Sequence, residues 1–232
     1  MSSSKIGIIT IGQSPRPDVL PDFIKVLGFL PSIEQRGLLD DLSKEEIASL
    51  APHENEDQTL VTRLRDGTEV KLSEKRVIEM LPQAVEDLEN RKVDFIILFC
   101  TGEFPAVDSK VPVLYPSIIV GSLVSAIFSP RKDKSSRLCV IAPAREQIPM
   151  LALKWEKTGC SLLFESLSPY TSSESEIINC AQKVAQLNCD MIVLDCIGYT
   201  EEIRRIFTEV ARKPVILPRA LLARITAELI PG

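Results

Sequence analysis

The chain has few of the residues on which metal, membrane and nucleic-acid sites depend. It has one histidine, His53, and its six cysteines include no Cys-x-x-Cys pair, so the ligand spacing of a zinc site is absent. No stretch approaches the roughly 18 apolar residues of a membrane helix, and the apolar run 6–11 is too short for a signal peptide. We therefore expect a soluble, cytoplasmic protein with no bound metal and no membrane partner.

The charge balance also lacks a basic excess. Twenty-seven Lys and Arg against 32 Asp and Glu give a formal net charge of −5, which argues against a nucleic-acid partner. The composition, 45% hydrophobic and 25% charged over 232 residues, is that of a globular chain with one large domain or two small ones. Because the cysteines are scattered through predicted strands and helices of a mid-sized chain, we expect reduced thiols.

One stretch of sequence occurs twice. Residues 94–102 (DFIILFCTG) and 190–198 (DMIVLDCIG) match in Asp, apolar run, Cys and Gly at a constant offset of 96 residues (190 − 94). An apolar run without polar alternation predicts a parallel strand that is covered by helices on both faces. Ligands bind beyond the carboxyl ends of such strands. Cys100 and Cys196 therefore predict two halves that face each other across one cleft.

The first half alternates strands and helices, with one addition. Ser43 and Glu46 form the pattern of a capping box, which predicts the start of a short helix. Alternating residues on both sides of Asp66-Gly67 predict a β-hairpin with a tight type I′ turn, and Pro82 predicts a kink or restart in the following helix. The predicted strands cover 5–10 and 33–39, the hairpin 60–72, and the helices 18–27 and 74–90.

The second half repeats this plan with fewer additions, and a second capping-box pattern lies at Ser173 and Glu176. We predict an α/β protein with two pseudo-symmetric, Rossmann-like lobes of parallel sheet, a cleft between them and a hairpin insertion in the first lobe. The expected boundaries are 1–116 for the first lobe, 117–212 for the second, and 213–232 for a closing strand and helix that return to the first lobe.

Three motifs resemble a known family. Residues 10–18 (TIGQSPRPD), 37–40 (GLLD) and 194–199 (LDCIGY) are similar to the AroM family, and the resemblance runs over essentially the whole chain. Two lobes with strand-end cysteines also resemble the wider aspartate/glutamate racemase superfamily. The first resemblance implies an association with aromatic biosynthesis. The second, to a group that includes racemases, maleate isomerases and arylmalonate decarboxylases, implies chemistry without a cofactor at a carbon next to a carboxylate or carbonyl.

Such chemistry has a physical reason to use two cysteines. Racemisation requires one group to remove a proton from one face of the carbon and a second group to supply a proton on the opposite face. A thiol, with an ordinary pKa of about 8.5, suits both tasks when a helix N-terminus favours its thiolate, and we expect such a helix after Cys100 and after Cys196. The developing enediolate also needs N–H and hydroxyl donors. The residues expected to supply them are Thr101, Gly102, Gly198 and Thr200.

Several polar residues have two interpretations. Ser14 and Arg16 bind a carboxylate or phosphate at a helix start, or else Ser14 shapes a turn and Arg16 is solvated. Asp40 orients a site group or caps the following helix, and Ser117 meets an anion or is an N-cap. The predicted substrate-binding residues are Gln13, Ser14, Arg16, Asp40, Thr101, Gly102, Ser117, Gly198, Tyr199 and Thr200.

Two features conflict with a simple racemase. Asp195 directly precedes Cys196, and a buried carboxylate there is expected to raise the pKa of the thiol and repel an anionic substrate. The racemases of the superfamily usually follow the first Cys with Asn-Thr and the second with Thr-His, whereas this chain has Thr101-Gly102 and Ile197-Gly198. Different substrate contacts are therefore expected. The remaining cysteines, Cys139, Cys160, Cys180 and Cys189, are predicted to be packing residues.

Two hypotheses of different class remain. In the first, the protein is a racemase, epimerase or isomerase of a small carboxylate, with Cys100 and Cys196 as opposed acid and base. In the second, the same cleft binds a small acid without catalysis and the protein has a regulatory role. The expected partner in both is a small carboxylate or phosphate-like ligand, and the sequence leaves the oligomeric state open, a homodimer included.

Overall fold

A computed structural model describes residues 4–53, 58–129 and 136–230 of the chain. The chain divides into two compact units, the first made of Met1–Pro116 with Ala223–Gly232 and the second of Ser117–Leu222. Among the described residues no helix has the length and apolarity that crossing a membrane requires.

The described strands and helices alternate along most of the chain. The strands are β1 (Lys5–Thr10), β2 (Ser32–Gly37), β3 (Thr59–Arg63), β4 (Glu69–Ser73), β5 (Phe95–Phe99), β6 (Val113–Leu114), β7 (Arg137–Ala142), β8 (Ser161–Ser166), β9 (Met191–Leu194) and β10 (Val215–Ile216). The helices are α1 (Leu20–Leu27), α2 (Lys44–Ser49), α3 (Glu74–Ile78), α4 (Leu81–Asn90), α5 (Pro116–Phe128), α6 (Ile148–Glu156), α7 (Glu174–Gln186), α8 (Glu201–Ala211) and α9 (Pro218–Leu229).

Each unit contains a four-stranded parallel sheet, and the two sheets have the same strand order. The order is β2-β1-β5-β6 in the first unit and β8-β7-β9-β10 in the second. The register repeats as well, because Ile6 lies opposite Phe95 in the first sheet and Leu138 opposite Met191 in the second. The predicted α/β fold with two parallel sheets and a hairpin in the first lobe is confirmed.

An aspartate marks the start of the central strand pair in both sheets. The Asp94 carboxylate accepts a hydrogen bond from the Lys5 backbone N–H at 2.6 Å, and Asp190 accepts one from the Arg137 N–H at 2.8 Å. The aspartate N–H in turn donates to the carbonyl of the same partner residue, at 2.8 Å in both units. The side chain therefore closes a local ring that fixes where one parallel strand begins against its neighbour.

Side chains of the central strands alternate between two layers of core. In β9, Ile192 and Leu194 pack with α7 and α8, whereas Met191 and Val193 pack on the opposite face with α5 and α6. This alternation is the ordinary geometry of a strand, in which successive side chains point to opposite faces. It makes both faces of the strand apolar, which explains why the sequence shows no polar alternation there.

Local signals fixed several helix starts. Ser43 with Glu46, and Ser173 with Glu176, form complete capping boxes at the starts of α2 and α7, as predicted. The predicted helix 74–90 consists of two helices, α3 and α4, and Pro82 lies in the first turn of α4. Proline is tolerated there because the first N–H groups of a helix have no partner within the helix.

Two predictions of local structure were wrong. The hairpin of β3 and β4 has a five-residue loop, 64–68, instead of a two-residue type I′ turn, because the Asp66 carboxylate accepts the Thr68 N–H and Gly67 takes a positive φ of 91°. The closing strand, expected to return to the first lobe, is β10, which pairs with β9 in the second sheet. Residues from Ala223 onward, in α9, belong to the first unit.

Candidate functional site

Cys100 and Cys196 have the same local structure in the two units. The Cys100 sulfur accepts a hydrogen bond from the Gly102 N–H at 3.3 Å, and the Cys196 sulfur accepts one from the Gly198 N–H at 3.3 Å. Each cysteine follows the end of β5 or β9, and each residue is 8% exposed. The constant offset in sequence is therefore a repeated arrangement of sulfur and backbone N–H.

This arrangement favours a charged sulfur. A backbone N–H that points at a sulfur stabilises the thiolate more than the neutral thiol. Gly102 and Gly198 were predicted to donate to the enediolate of a substrate, but in the structure their N–H groups point to the cysteine sulfurs. The two glycines thus serve the cysteines directly.

The two loops that follow the cysteines differ. After Cys196, the chain reaches α8 within five residues, and Thr200 caps that helix by accepting the Ile203 N–H at 3.2 Å. After Cys100, no helix begins before Pro116. The prediction that a helix N-terminus follows both cysteines is therefore correct for Cys196 and wrong for Cys100, where an irregular segment with Thr101 and Gly102 leads to β6.

Asp195 and Cys196 follow the end of β9 and have different neighbours. The Asp195 carboxylate lies against α6, whereas Cys196 packs with α7 and α8. Both carboxylate oxygens of Asp195 are 2.8 Å from the Lys154 ammonium, and the Trp155 indole N–H donates to one of them at 2.6 Å. Because Lys154 compensates the charge, Asp195 gives no reason to assign Cys196 as the protonated thiol.

Tyr170 is a residue of the Cys196 site that the sequence did not reveal. Its hydroxyl lies 4.0 Å from the Cys196 sulfur, and its ring covers Gly198 so closely that a Cβ at that glycine would lie 2.6 Å from the ring. Tyr170 comes from the loop between β8 and α7, which has no recognisable motif. A side chain at position 198 would therefore force the Tyr170 ring to move away from its place beside Cys196.

Arg219 is the second unpredicted residue of this site. It lies in the first turn of α9, is 1% exposed, and donates to the Ile197 carbonyl at 2.9 Å and to the Gly198 carbonyl at 2.8 Å. A planar guanidinium that holds two successive carbonyls fixes the peptide between them. Arg219 therefore orients the loop whose Gly198 N–H points to the Cys196 sulfur.

Tyr199 does not have the position that its predicted binding role requires. Of the two interpretations of Ser117, the N-cap is wrong and the contact with an anion stays a prediction. Tyr199 is fully buried, and its hydroxyl donates to the Leu167 carbonyl at 2.6 Å. Burial raises the pKa of Tyr199 well above its ordinary value. Ser117 is the second residue of α5, so it is not an N-cap. Tyr199 is thus a core residue whose hydroxyl is already used.

In the first unit, Asp40 holds the predicted site residue Ser14 against the end of β2. Its carboxylate accepts the Ser14 N–H and the Ser14 hydroxyl, both at 2.6 Å, and the Gly37 N–H at 2.8 Å. Ser43, and not Asp40, caps α2. The interpretation of Asp40 as a helix cap is therefore wrong; its carboxylate orients Ser14, whose role in a site stays a prediction.

Arg65 from the hairpin loop completes this network. Its guanidinium donates to the Ser14 carbonyl at 2.7 Å and to the Asp40 carboxylate at 3.2 Å. Its backbone N–H donates to the Gln13 side-chain oxygen at 3.0 Å. This role was not predicted, because Arg65 and Ser14 are 51 residues apart in the chain. The hairpin insertion thus contacts the loop after β1 that contains Gln13 and Ser14 (the β1 loop).

Arg16 is buried, so the interpretation in which it is solvated is wrong. Its guanidinium forms a bidentate pair with Asp18, at 2.8 and 2.7 Å, and donates to the Thr10 hydroxyl at 2.9 Å. Burial by itself raises the pKa of Asp18, but the hydrogen bonds and charge of Arg16 outweigh it and lower that pKa below 3.8. Asp18 and Thr10 therefore hold the guanidinium, and its contact with a carboxylate or phosphate ligand stays a prediction.

The other cysteines occupy the core of the second unit. Cys139, Cys180 and Cys189 are buried, and Cys160 is half-buried. A hydrogen bond with Cys189 raises the pKa of Cys139, and the same bond lowers the pKa of Cys189 to about 7. Across the part of the chain that the structure describes, no group of three or more His, Cys, Asp or Glu residues could hold a metal ion.

Known structures share this fold. Glutamate racemase from Francisella tularensis, in complex with D-glutamate, is 15% identical with a TM-score of 0.61, over 98% of this chain and 81% of that chain. The maleate isomerase Iso from Pseudomonas putida S16 is 14% identical with a TM-score of 0.59, over 99% and 96%. Unliganded arylmalonate decarboxylase is 15% identical with a TM-score of 0.56, over 99% and 93%.

A comparison with curated proteins found no match. The family model described as AroM protein matches residues 6–230, which is nearly the whole chain. The predicted resemblance is thereby confirmed, and the chain belongs to the AroM family.

Proposed function

We propose that the protein is a cofactor-independent racemase, epimerase or isomerase that acts next to the carboxylate of a small organic acid. In this proposal Cys100 and Cys196 are its acid and base. The observation that carries the proposal is the matched pair of sulfurs, each of which accepts a glycine N–H at 3.3 Å at the end of an equivalent strand. Packing alone does not require that a backbone N–H be directed at either sulfur.

The two thiols have complementary tasks in this chemistry. One cysteine, as thiolate, takes the proton from the carbon next to the carboxylate, and the electron pair of the broken C–H bond moves into the enediolate. The other cysteine, as thiol, returns a proton to the opposite face and becomes the thiolate. After one turnover the two sulfurs have exchanged protonation states, so the reverse reaction begins from the opposite cysteine. That both sulfurs reach one carbon is a prediction of this proposal.

Solvent-deuterium exchange tests the proposal. Small carboxylic acids are incubated with the protein in D2O and analysed by mass spectrometry and chiral chromatography. Deuterium is expected to enter the carbon next to the carboxylate of at least one acid. Cys100→Ser and Cys196→Ser are each expected to abolish interconversion, because a serine hydroxyl is a far weaker acid than a thiol.

Cys160→Ser is the matched control. Cys160 is a half-buried cysteine outside both strand-end loops, and its sulfur lies 3.8 Å from the Thr158 carbonyl. This variant is expected to exchange deuterium at the parent rate. Full activity in Cys100→Ser or in Cys196→Ser would contradict two-base chemistry, and a lack of exchange into every acid would contradict the enzyme hypothesis.

A second candidate is a small-acid-binding protein without catalysis. It is favoured by the loop after Cys100, where no helix begins before Pro116 to stabilise a thiolate as α8 does after Cys196. If this candidate is correct, calorimetry detects binding of a small acid, the parent protein exchanges no deuterium into it, and the cysteine variants bind it as the parent does.

A further inference from the structure

A cavity of about 350 Å³ lies within the second unit, beyond the carboxyl ends of β7 and β8 and against α7. Its volume is at the lower end of the range of small-molecule sites. Cys196 and Tyr170 do not line it. Its charged lining consists of Glu165 at the end of β8, with Glu176 and Lys183 on α7. The cavity also has polar neutral walls, including Ser166, Ser168 and Asn179.

The internal repeat identifies what occupies the equivalent place in the first unit. In the first sheet Arg36 lies opposite Ile9, one residue before the end of β1, and in the second Glu165 lies opposite Ile141, one residue before the end of β7. Asp87 and Lys183 differ by 96 residues (183 − 87), the offset of the repeated strands. Glu165 is therefore the counterpart of Arg36, and Lys183 is the counterpart of Asp87.

The first unit fills this place with its own side chains. Arg36 forms ion pairs with Asp87 at 2.8 Å and with Asp40 at 3.6 Å, and it also contacts Asp41. The long guanidinium side chain thus lies among three carboxylates of its own unit.

In the second unit the charges of both positions are reversed. A carboxylate replaces the guanidinium at position 165, and an ammonium replaces the carboxylate at position 183. Residues 167–173, which follow β8 as Asp40 and Asp41 follow β2, carry no charge. The arginine and the aspartates that fill the first unit are thus both missing here, and the cavity remains open between charges of both signs.

We propose that this cavity binds a small zwitterion that carries a primary ammonium and a carboxylate, such as a free α-amino acid. The ammonium lies between Glu165 and Glu176, and the carboxylate meets Lys183 and the Asn179 amide. Two carboxylates against one ammonium leave the lining one negative charge in excess, so a cationic group is required for binding. Hydrogen bonds from the Ser173 N–H and hydroxyl to Glu176, both at 2.7 Å, lower the pKa of that carboxyl and keep it charged.

Calorimetric titration of the full chain tests the proposal. The probes are L-alanine, L-lysine, L-glutamate and L-phenylalanine, each compared with its amide, which lacks the carboxylate, and its N-acetyl derivative, which lacks the ammonium. At least one free amino acid is expected to bind, with a Kd at least tenfold lower than that of both derivatives. Glu165→Gln and Lys183→Gln are each expected to weaken this binding at least tenfold.

Two further variants make the test specific. Glu174→Gln removes an exposed carboxylate from the first turn of α7 that does not line the cavity, and it is expected to bind as the parent does. The double variant Glu165→Arg with Lys183→Asp copies the pair of the first unit and is expected to lose binding while its melting temperature stays near that of the parent.

The proposal is overturned if no free amino acid binds at millimolar concentration, or if binding is unchanged in both Glu165→Gln and Lys183→Gln. The double variant Cys100→Ser with Cys196→Ser is expected to retain this binding. This test of binding in the cavity is therefore independent of the proposed catalytic role of Cys100 and Cys196.

Discussion

Replacing Lys154 by methionine is expected to destabilise the second unit strongly. Lys154 and Asp195 are 5% and 1% exposed, and both Asp195 oxygens lie 2.8 Å from the ammonium. Methionine has a similar length and keeps the apolar contacts of the side chain, but it leaves the Asp195 carboxylate buried without its countercharge. Breaking a buried pair in this way costs about 3–5 kcal/mol, against a total stability of about 5–15 kcal/mol for a typical domain.

The second change in this experiment removes the carboxylate as well. The double variant Lys154→Met with Asp195→Leu replaces the pair by apolar groups, and it is expected to recover most of the loss. Well-packed apolar replacements of buried ion pairs are often neutral or stabilising. The Trp155 indole N–H then loses an acceptor, which leaves a remaining cost of about 1–3 kcal/mol.

Urea unfolding followed by tryptophan fluorescence measures both changes. Trp155 is the one tryptophan of the chain, and it donates to Asp195, so its emission reports on the second unit. Lys44→Met is the matched control, because Lys44 is 82% exposed in its pair with Asp66 and surface pairs contribute little. If Lys154→Met is as mild as Lys44→Met, the reasoning about an uncompensated buried carboxylate is refuted.

Three further predictions concern the loops around the cysteines and the β1 loop. Gly198→Ala is expected to reduce activity and stability because its Cβ would lie 2.6 Å from the Tyr170 ring, and wild-type turnover and melting temperature would contradict this. Asp40→Asn removes a carboxylate that accepts four hydrogen bonds, and urea unfolding is expected to show a loss of about 1.5–3 kcal/mol. The pKa of Asp18 is lowered on folding, so the stabilisation by this carboxylate is present above pH 3.8 and disappears as the pH falls below that value. Arg16→Gln is therefore expected to reduce the free energy of unfolding more at neutral pH than in acid. Equal reductions would contradict the ion-pair argument.

The order of strands and helices could be predicted from the sequence because the signals for these elements are local and periodic. The apolar runs before Cys100 and Cys196, the two capping boxes and the Asp66-Gly67 hairpin each consist of neighbouring residues. Local signals also led to errors, since the adjacency of Asp195 and Cys196 suggests a conflict of charges but does not reveal that Lys154 pairs with Asp195. Tyr199 followed a cysteine motif and was therefore taken for a binding residue, although its side chain is in the core.

The missed residues act over long separations in sequence. Arg219 contacts a carbonyl 22 residues away, Lys154 a carboxylate 41 residues away and Arg65 a carbonyl 51 residues away. No periodicity or spacing rule connects such partners, because tertiary packing alone brings them together. The pair of Arg16 and Asp18 is different, since opposite charges two residues apart in a rigid loop were visible in the sequence.

The aspartates at the start of β5 and β9 fix where each cysteine lies along its sheet. Parallel strands are not joined by a hairpin turn, so no loop length sets how far one strand slides along the other. In this protein the carboxylates of Asp94 and Asp190 fix the register of the two strands. Each cysteine lies six residues after its aspartate (100 − 94 and 196 − 190). An even count keeps the sulfur on the face that the aspartate spacing selects, so deletion of a single residue inside either strand would turn its sulfur to the opposite face of the sheet.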